Sequence, residues 1–291
     1  MKKVVLAYSG GLDTSFCVKY LGEEKGMEVH SVLVDTGGFS EEEIADIEKK
    51  AFELGVKSHH TSRVADKYYQ ECIKYLIFGN VLKNNTYPLS VSAERIFQAV
   101  AVAEYAKSVG ATAIAHGSTG AGNDQVRFDM AFRTIVPDAE IITPIRDMRL
   151  SRDAEIDFLK SKGVVREWHK STYSINQGLW GTSVGGKETL NSYDNLPENA
   201  FPNPITESDE REIKLSFVKG ELRGVEGETF ENPVDAIRKL HLLATPYGIG
   251  RDMHVGDTII GIKGRVGFEA AAPLIIIKAH HLLEKHVLTK W

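Results

Sequence analysis

The chain has 291 residues, a formal net charge of −5 at pH 7, and contents of 42% hydrophobic and 26% charged residues. This composition is typical of a soluble protein with a substantial core in one large or two modest domains. The sequence holds no apolar run of about eighteen residues, which argues against a membrane span, and its negative charge argues against a nucleic-acid partner. The apolar stretch at residues 4–7 is too short for a signal peptide, so we expect a cytoplasmic protein.

The first half of the chain alternates short apolar runs with stretches of helical spacing. The predicted strands are residues 4–7, 29–34, Ala113–Ala115 and 141–142, and the predicted helices include Glu41–Leu54 and residues 65–78 and 93–108. Such alternation builds a parallel sheet with helices on both faces, and ligands bind beyond the carboxyl ends of its strands. We therefore expect the loop at residues 9–15 and the turns at 35–38 and 116–122 to meet in one crevice.

The second half has a different texture. Residues 171–211 are rich in Ser, Asn, Gly and Pro, which predicts a long loop region. Beyond it we expect a hairpin at residues 213–218 and Glu221–Val225, a helix at 233–245, strand-like segments at 258–263 and 274–278, and a helix at 279–287. The fold class is therefore α/β, a parallel-sheet nucleotide-binding domain at residues 1–165 with a second α+β domain at 166–291.

The segment Ala7-Tyr8-Ser9-Gly10-Gly11-Leu12-Asp13-Thr14-Ser15 joins the first predicted strand to the first predicted helix. Free N–H groups at a helix start, paired glycines and nearby hydroxyls together make an anion cradle. The segment lacks the lysine of a Walker A loop and the alternating glycines of the dinucleotide fingerprint. Its S-G-G-x-D-[ST]-[ST] pattern resembles the loop of the ATP pyrophosphatases, which split ATP between its α and β phosphates. The structural alternative is a Gly-Gly turn that merely connects the two elements.

A second block of polar residues and glycines occupies residues 116–128. If a helix starts at Asn123 or Asp124, Arg127 lies one turn further along the same face. Arg127 could then bind a carboxylate while Asp124 accepts hydrogen bonds from an ammonium group, which is the pairing that an amino-acid substrate requires. The alternative interpretation is an ordinary helix cap with a solvated arginine.

Taken together, residues 7–15 and 116–128 resemble the argininosuccinate synthase family. The resemblance extends through Tyr173-Ser174 and residues 179–183, 248–251 and 277–280, so it covers essentially the whole chain. It implies an adenine nucleotide alpha hydrolase-like first domain. It also implies an enzyme that joins L-citrulline to L-aspartate with ATP through a citrullyl-AMP intermediate, releasing AMP and pyrophosphate.

The resemblance also implies roles for individual residues. The 7–15 loop would hold the phosphates, with Val34 at the adenine and Gly117 against the nucleotide. The positions that match aspartate-binding residues are Thr119, Asn123 and Asp124, and those that match citrulline-binding residues are Tyr87, Ser92, Asn123, Arg127, Ser174 and Ser183. Arg95 is an additional candidate partner for a carboxylate. The residues nearest the chemistry would be Asp13, Asp124 and Arg127, and Asp13 is the nearest candidate ligand for Mg²⁺, which would neutralise the pyrophosphate.

Two positions depart from the family pattern. A glutamate and a tyrosine that contact citrulline in the family align with Gly256 and Phe268, although Asp257 could supply a carboxylate. Family members also continue beyond Trp291 with a segment that reaches neighbouring subunits of a tetramer. Either the sequence is trimmed, or the tail is absent and the assembly differs. The resemblance implies a homo-oligomer, which is a tetramer in the family.

Two other functions stay open at this point. The first is another enzyme with the same loop, such as a tRNA thiolase, which would want catalytic cysteines and a basic face. The second is a nucleotide-binding or regulatory homologue that has lost turnover.

Several other residue patterns have structural interpretations. Cys17 is expected in the core and Cys72 has no partner at C-x-x-C spacing, so neither a disulfide framework nor a zinc site is expected. Glu41-Glu42-Glu43 after Ser40 indicates a capped helix start. We expect His59-His60 to be solvated beyond a strand end, and the histidines at 280, 281 and 286 to lie on an ordinary helix surface rather than at a metal.

Overall fold

The fold is taken from a computed structural model that describes residues 1–120, 122–166, 168, 173–259 and 261–290. Ala121 of the 116–122 turn and Trp291 lie outside the described residues. The chain divides into two compact units, each built from separate stretches of sequence. Unit 1 comprises residues 1–64, 95–170 and 258–261, and unit 2 comprises residues 65–94, 171–257 and 262–291.

In chain order the strands are β1 Lys3–Ala7, β2 Glu28–Asp35, β3 Ser58–Arg63, β4 Ala113–Ala115, β5 Glu140–Ile142, β6 Ser174–Gly178, β7 Gly181–Gly185, β8 Leu215–Val218, β9 Glu221–Val225, β10 Glu228–Thr229, β11 Arg251–Asp257 and β12 Lys263–Glu269. The helices are α1 Leu12–Lys19, α2 Glu41–Leu54, α3 Ala65–Tyr68, α4 Lys74–Phe78, α5 Ser90–Ser108, α6 Asp124–Ile135, α7 Pro144–Met148, α8 Arg152–Ser161, α9 Pro233–Ala244 and α10 Ala271–Val287. A π-helical turn, Tyr69–Ile73, links α3 to α4, so these form the one predicted helical stretch.

Unit 1 is built on a five-stranded parallel sheet with the strand order β3-β2-β1-β4-β5. The predicted parallel sheet is therefore confirmed. The strand order reverses between β1 and β4, and in sheets of this type the crevice at such a reversal is where ligands bind. The segments that follow β1 and β4 both leave the sheet at this point.

Apolar side chains cover both faces of this sheet. One face packs against residues of α1 and α2 such as Phe16 and Ile47, and Cys17 lies fully buried among them, as expected. The other face packs against alanines of α5 and against Phe128 and Phe132 of α6. Burial of both faces explains why β1 and β4 are continuous apolar runs rather than alternating patterns.

Strand β3 is a correction to the sequence analysis. Its residues, Ser58 to Arg63, are polar because β3 is the edge strand and pairs only with β2. His59 and His60 therefore lie inside a strand, and the expectation that they follow its end is wrong. His59 is half-buried, whereas His60 is exposed to solvent as expected. The Ser31 hydroxyl lies 2.8 Å from Nδ1 of His59, and the ring of His60 stacks on that of Tyr105.

Unit 2 contains two antiparallel sheets, ordered β10-β9-β8 and β11-β12-β7-β6. The predicted hairpin β8–β9 and the helix α9 are confirmed, and the fold class is the predicted one, α/β followed by α+β. The supposed loop region 171–211 holds the hairpin β6–β7, which its small polar residues concealed. Of the predicted segment 258–263, Ile260 lies outside the described residues, and the others are mainly the turn between β11 and β12. Residues 274–278 belong to α10 rather than to a strand.

Helix α10 also contains the three histidines that the sequence placed on a helix surface. His280 is instead buried, with Nδ1 3.0 Å from the side-chain oxygen of Asn80. Among the described residues, no helix combines the length and the hydropathy that a membrane span requires.

Candidate active site

The turn between β1 and α1 is held by its own hydroxyl groups. The Ser9 amide donates to Oγ1 of Thr14 (3.4 Å), and this hydroxyl donates to the carbonyl of Gly11 (3.2 Å). The first N–H groups of α1 have no partner within the helix, so they remain donors for an anion. Residues 9–15 therefore form the predicted turn into α1, and the binding of phosphate by this turn stays a prediction.

The two glycines of this turn, Gly10 and Gly11, are explained by different features of the structure. Gly10 has φ +76°, and a Cβ built on it would lie 3.1 Å from Cγ1 of Ile47 in α2. Gly11 has φ −77°, and a Cβ there would meet only the Ser9 hydroxyl, at 3.5 Å. Gly10 is thus required by the backbone, whereas Gly11 keeps the start of α1 open.

The segments that follow β1 and β4 come into contact. A Cβ on Gly117 would lie 3.4 Å from Cβ of Asp13 and 3.4 Å from Cγ2 of Thr14. Val34, the residue before the last of β2, lies on the strand next to β1 and is buried. The structure therefore brings the predicted phosphate, adenine and nucleotide positions to one edge of the sheet.

His116, at the end of β4, fixes the segment that leads to α6. Its Nδ1 accepts from the Ser118 amide (3.2 Å), so its proton is on Nε2, which donates to Asp129 (3.0 Å). Arg146 donates to the other carboxylate oxygen of Asp129 (2.8 Å). Burial of this carboxyl opposes ionisation, but the bonds from His116 and Arg146 prevail and lower its pKa.

Helix α6 starts at Asp124 with Asn123 as the preceding residue, as the sequence predicted. Asp124 forms ion pairs with Nη1 of Arg127 (2.8 Å) and with Nε of Arg95 (3.2 Å). Asn123 does not cap the helix through its side chain, because its Oδ1 accepts from the Ile259 amide (2.7 Å). The structure therefore brings together Asp124 and Arg127, the two residues predicted to bind an amino acid, and their charged groups pair with each other. Thr119 lies exposed in the turn before it.

Three of the predicted citrulline positions lie together in unit 2. The Tyr87 hydroxyl is 3.4 Å from the Ser92 hydroxyl, and the Tyr87 ring packs on Phe268 with centroids 5.2 Å apart. Phe268 of β12 is paired in register with Ser183 of β7. Ser174 is not part of this group, since it is exposed at the start of β6 opposite Gly185.

Gly256 and Phe268, the departures from the family pattern, adjoin this group. A Cβ on Gly256 would lie 2.8 Å from Nε2 of His254, so the histidine ring fills the space that a side chain would need. The His254 ring stacks on Tyr87 with centroids 4.5 Å apart and is almost fully buried. Burial, assisted by the charge of Lys83, lowers its pKa.

Asp257, the suggested substitute carboxylate, pairs with Lys263 across the β11–β12 hairpin. This pairing lowers the pKa of Asp257. The carboxylate is ionised, as a contact for a substrate ammonium requires, but it already has a cationic partner.

Sequence reasoning missed Glu155 of α8. The residue is 3% exposed, and its carboxyl group interacts with that of Asp13 in the loop at residues 7–15. Burial and then the charge of Asp13 raise the pKa of Glu155 to about 7, and burial raises the pKa of Asp13. The two residues are far apart in sequence, and no motif connects them.

Comparisons with known proteins cover nearly the whole chain. Residues 3–165 match the model of the arginosuccinate synthase N-terminal HUP domain, and residues 173–291 match that of the arginosuccinate synthase C-terminal domain. An argininosuccinate synthase of Methanocaldococcus jannaschii is 40% identical over 289 residues, which is 98% of this chain and 72% of the relative. The argininosuccinate synthase of Xylella fastidiosa is 39% identical over 297 residues, 99% of this chain and 73% of the relative.

Proposed function

The chain belongs to the argininosuccinate synthase family, and we propose that its phosphate loop and its Asn123–Arg127 cluster carry out this family's chemistry. It is an ATP-dependent ligase that joins L-citrulline to L-aspartate in arginine biosynthesis. Neither a tRNA thiolase nor a regulatory homologue without turnover finds support among these relatives.

One observation carries the assignment of the site. A Cβ built on Gly117 would come within van der Waals distance of Asp13 and Thr14, where the strand order of the parallel sheet reverses. A nucleotide whose phosphates lie at residues 7–15 would therefore have Gly117 beside it and Val34 on the neighbouring strand. This supports residues Ala7 to Ser15, Val34 and Gly117 as the ATP site.

The reaction proceeds in two steps. The ureido oxygen of citrulline attacks the α-phosphorus of ATP, the bond to the bridging oxygen breaks, and pyrophosphate leaves with the electron pair. The amino group of aspartate then attacks the activated carbon, the bond to AMP breaks, and the nitrogen gives up a proton. No covalent bond to the protein is needed, so the enzyme works by orientation, which can contribute about 7–11 kcal/mol.

The substrate roles follow the charges of the site. Thr119, Asn123 and Asp124 bind aspartate, with Asp124 accepting hydrogen bonds from its amino group. For citrulline the resemblance implies Tyr87, Ser92, Asn123, Arg127, Ser174 and Ser183, of which Ser174 is the one that lies apart from Tyr87, Ser92 and Ser183 within unit 2. Arg127 and Arg95 both pair with Asp124 in the absence of substrate. When a substrate binds, its carboxylate can take the place of Asp124 beside an arginine, and a substrate ammonium group can take the place of an arginine beside Asp124, so no charge is left unpaired.

Magnesium fits the carboxyl groups below the loop. Asp13 offers a hard oxygen ligand, and Oε2 of the buried Glu155 has no hydrogen-bond partner among the described residues. No set of three or more Asp, Glu, His or Cys ligands occurs in the described part of the chain. Mg²⁺ bound to nucleotides commonly takes only one or two protein carboxylates and completes its shell with water and phosphate oxygens. When bound through Asp13, Mg²⁺ would neutralise negative charge on the pyrophosphate.

The cellular setting and assembly complete the proposal. We place the enzyme in the cytoplasm, acting on small molecules without a nucleic-acid or membrane partner. We also propose that it assembles as a homo-oligomer, a tetramer by analogy with the family; the sedimentation of the purified chain tests this assembly.

The first prediction tests the reaction and one residue role. AMP and pyrophosphate should form only when citrulline and aspartate are both present. Arg127→Ala should raise the KM for citrulline about tenfold or more, the cost of one lost charge-assisted bond, with little change in ATP affinity. Arg133→Ala, an exposed arginine of the same helix, is the matched control and should leave both constants unchanged. Equal loss of citrulline and ATP affinity in Arg127→Ala would remove its assignment.

A further inference from the structure

A cavity of about 680 Å³ lies beside the phosphate loop within unit 1. One wall is formed by Gly10, Gly11 and Leu12, the turn that leads into α1. The other walls come from α2, from the start of α8 and from the segment that follows α8. None of these other walls was singled out by the sequence motifs.

The side chains around this cavity carry an excess of positive charge. Four basic residues line it, Lys49, Lys50, Arg152 and Arg166, against two acidic ones, Asp46 and Glu53. The lining therefore has two more positive than negative charges, although the chain as a whole has a net charge of −5. A local positive field next to the open start of a helix favours an anion there.

Two donors at the cavity are buried without acceptors. Nη1 of Arg166 and Nε1 of Trp168 have no hydrogen-bond partner among the described residues. The other terminal nitrogen of Arg166, Nη2, pairs with Glu53, and Lys50 pairs with Asp46. A buried donor without an acceptor is costly, so both groups are suited to a ligand with several acceptor oxygens.

We infer that this cavity binds a pyrophosphate group, and that Arg152 and Arg166 are side chains that hold it. The inference rests on the proposed function and extends it beyond the loop to residues outside the motif. A single carboxylate needs one guanidinium, whereas pyrophosphate carries several charges and matches two guanidinium groups together with backbone donors. Glu53 and Asp46 compete with it for Arg166 and Lys50 and so favour its release.

The test measures binding directly and needs neither amino-acid substrate. Calorimetric titration of the full chain with inorganic pyrophosphate is compared with titration by AMP. Arg152→Gln and Arg166→Gln should each weaken pyrophosphate binding about tenfold or more, the effect of losing a charge-assisted bond, and leave AMP binding unchanged. Lys160→Gln, on an exposed position of α8 outside the cavity, should change neither affinity.

Removal of a competing carboxylate should have the opposite effect. Glu53→Gln releases Arg166 from its ion pair, so it should tighten pyrophosphate binding by several-fold. Because Glu53 is exposed, this variant keeps the inference testable even if an arginine variant fails to fold. Unchanged pyrophosphate affinity in both arginine variants, or weaker binding in Glu53→Gln, would overturn the inference.

A third titration, with an ATP analogue whose α–β bond cannot be cleaved, identifies the source of the group. Parallel weakening of the analogue and of pyrophosphate indicates that the nucleotide's own terminal phosphates occupy the cavity. Weakening of pyrophosphate alone indicates a site for the released product. If the enzyme turns over normally but neither Arg152→Gln nor Arg166→Gln changes pyrophosphate affinity, only this inference is refuted. If the two variants do weaken pyrophosphate binding but the wild type shows no ligase turnover, only the proposed reaction is refuted.

Discussion

At the scale of single residues, the phosphate loop depends on side chains that no local motif connects to it. The capped start predicted for α2 is confirmed, and it takes the form of a capping box between Ser40 and Glu43. Such a cap is visible in the sequence because its partners lie within four residues. Glu155, in contrast, meets Asp13 only because α8 packs on α1. Sequence patterns report partners within one element and miss partners that packing brings together.

Glu155 gives a prediction about pH and stability. Its folded-state pKa of about 7 is above its ordinary value of 4.5, so folding favours the protonated carboxyl. That contribution to stability is complete below about pH 4.5 and is lost as the pH rises to about 7. The wild type should therefore lose stability over this range relative to Glu155→Gln, which does not ionise.

Urea unfolding midpoints measured at intervals from pH 4 to 8 provide the measurement. Asp153→Asn, an exposed acidic residue of the same helix, is the control and should follow the wild-type pH dependence. If the curves for Glu155→Gln and the wild type run parallel, the carboxyl of Glu155 is not perturbed as described.

At the scale of elements, prediction succeeded where one face of an element is buried. Helix α2 was predicted with its observed bounds because Ile44, Ile47 and Leu54 recur at helical spacing against the sheet. Helix α10 was divided into a strand and a helix because residues 274–278 are almost uniformly apolar. A short run of this kind has no period that separates a buried helix from a buried strand.

The hairpin β11–β12 offers a prediction about packing. Gly256→Ala places a Cβ 2.8 Å from Nε2 of His254, so the imidazole must leave its stacked position on Tyr87. Overpacking of this kind costs about 1–3 kcal/mol and should lower the thermal midpoint measurably. In a His254→Ala background the same substitution should cost much less.

The four proteins of this double-mutant cycle, compared by thermal unfolding, give the coupling directly. Val255→Ala, at an exposed position of the same strand, is the control and should be additive with His254→Ala. Additive effects of the substitutions at 254 and 256 would mean that the ring does not occupy the space beside Gly256.

At the scale of the whole molecule, the two compact units do not follow a single division of the sequence. The proposed boundary at residue 165 separates two continuous stretches, whereas residues 65–94 belong to unit 2. The Tyr69 hydroxyl donates to Glu221 (3.0 Å), and the Asn80 amide donates to Glu284 (2.5 Å). The sequence could not indicate this, because composition changes near residue 165 and not near residue 65.

This organisation predicts the behaviour of a fragment cut at the proposed boundary. Residues 1–165 alone would retain the parallel sheet but leave Tyr68, Tyr69, Ile73 and Ile77, all buried in the full chain, without the rest of unit 2. The fragment should bind a hydrophobic dye and aggregate more readily than the full chain. A fragment that binds no dye and stays monomeric would show that residues 65–94 do not depend on residues 171–290.

The early position of residues 65–94 also bears on how the protein is made. A ribosome completes these residues before the partners Glu221 and Glu284 have been synthesised. At synthesis rates of roughly 5–20 residues per second, Glu284 follows residue 94 by about 10–40 s. Throughout that interval an aromatic and aliphatic stretch remains without its partners on the nascent chain, and the parallel sheet is completed within it, once β5 has been made. Chaperone capture of ribosome-bound chains should therefore peak after the parallel sheet is complete and decline only when α10 has emerged.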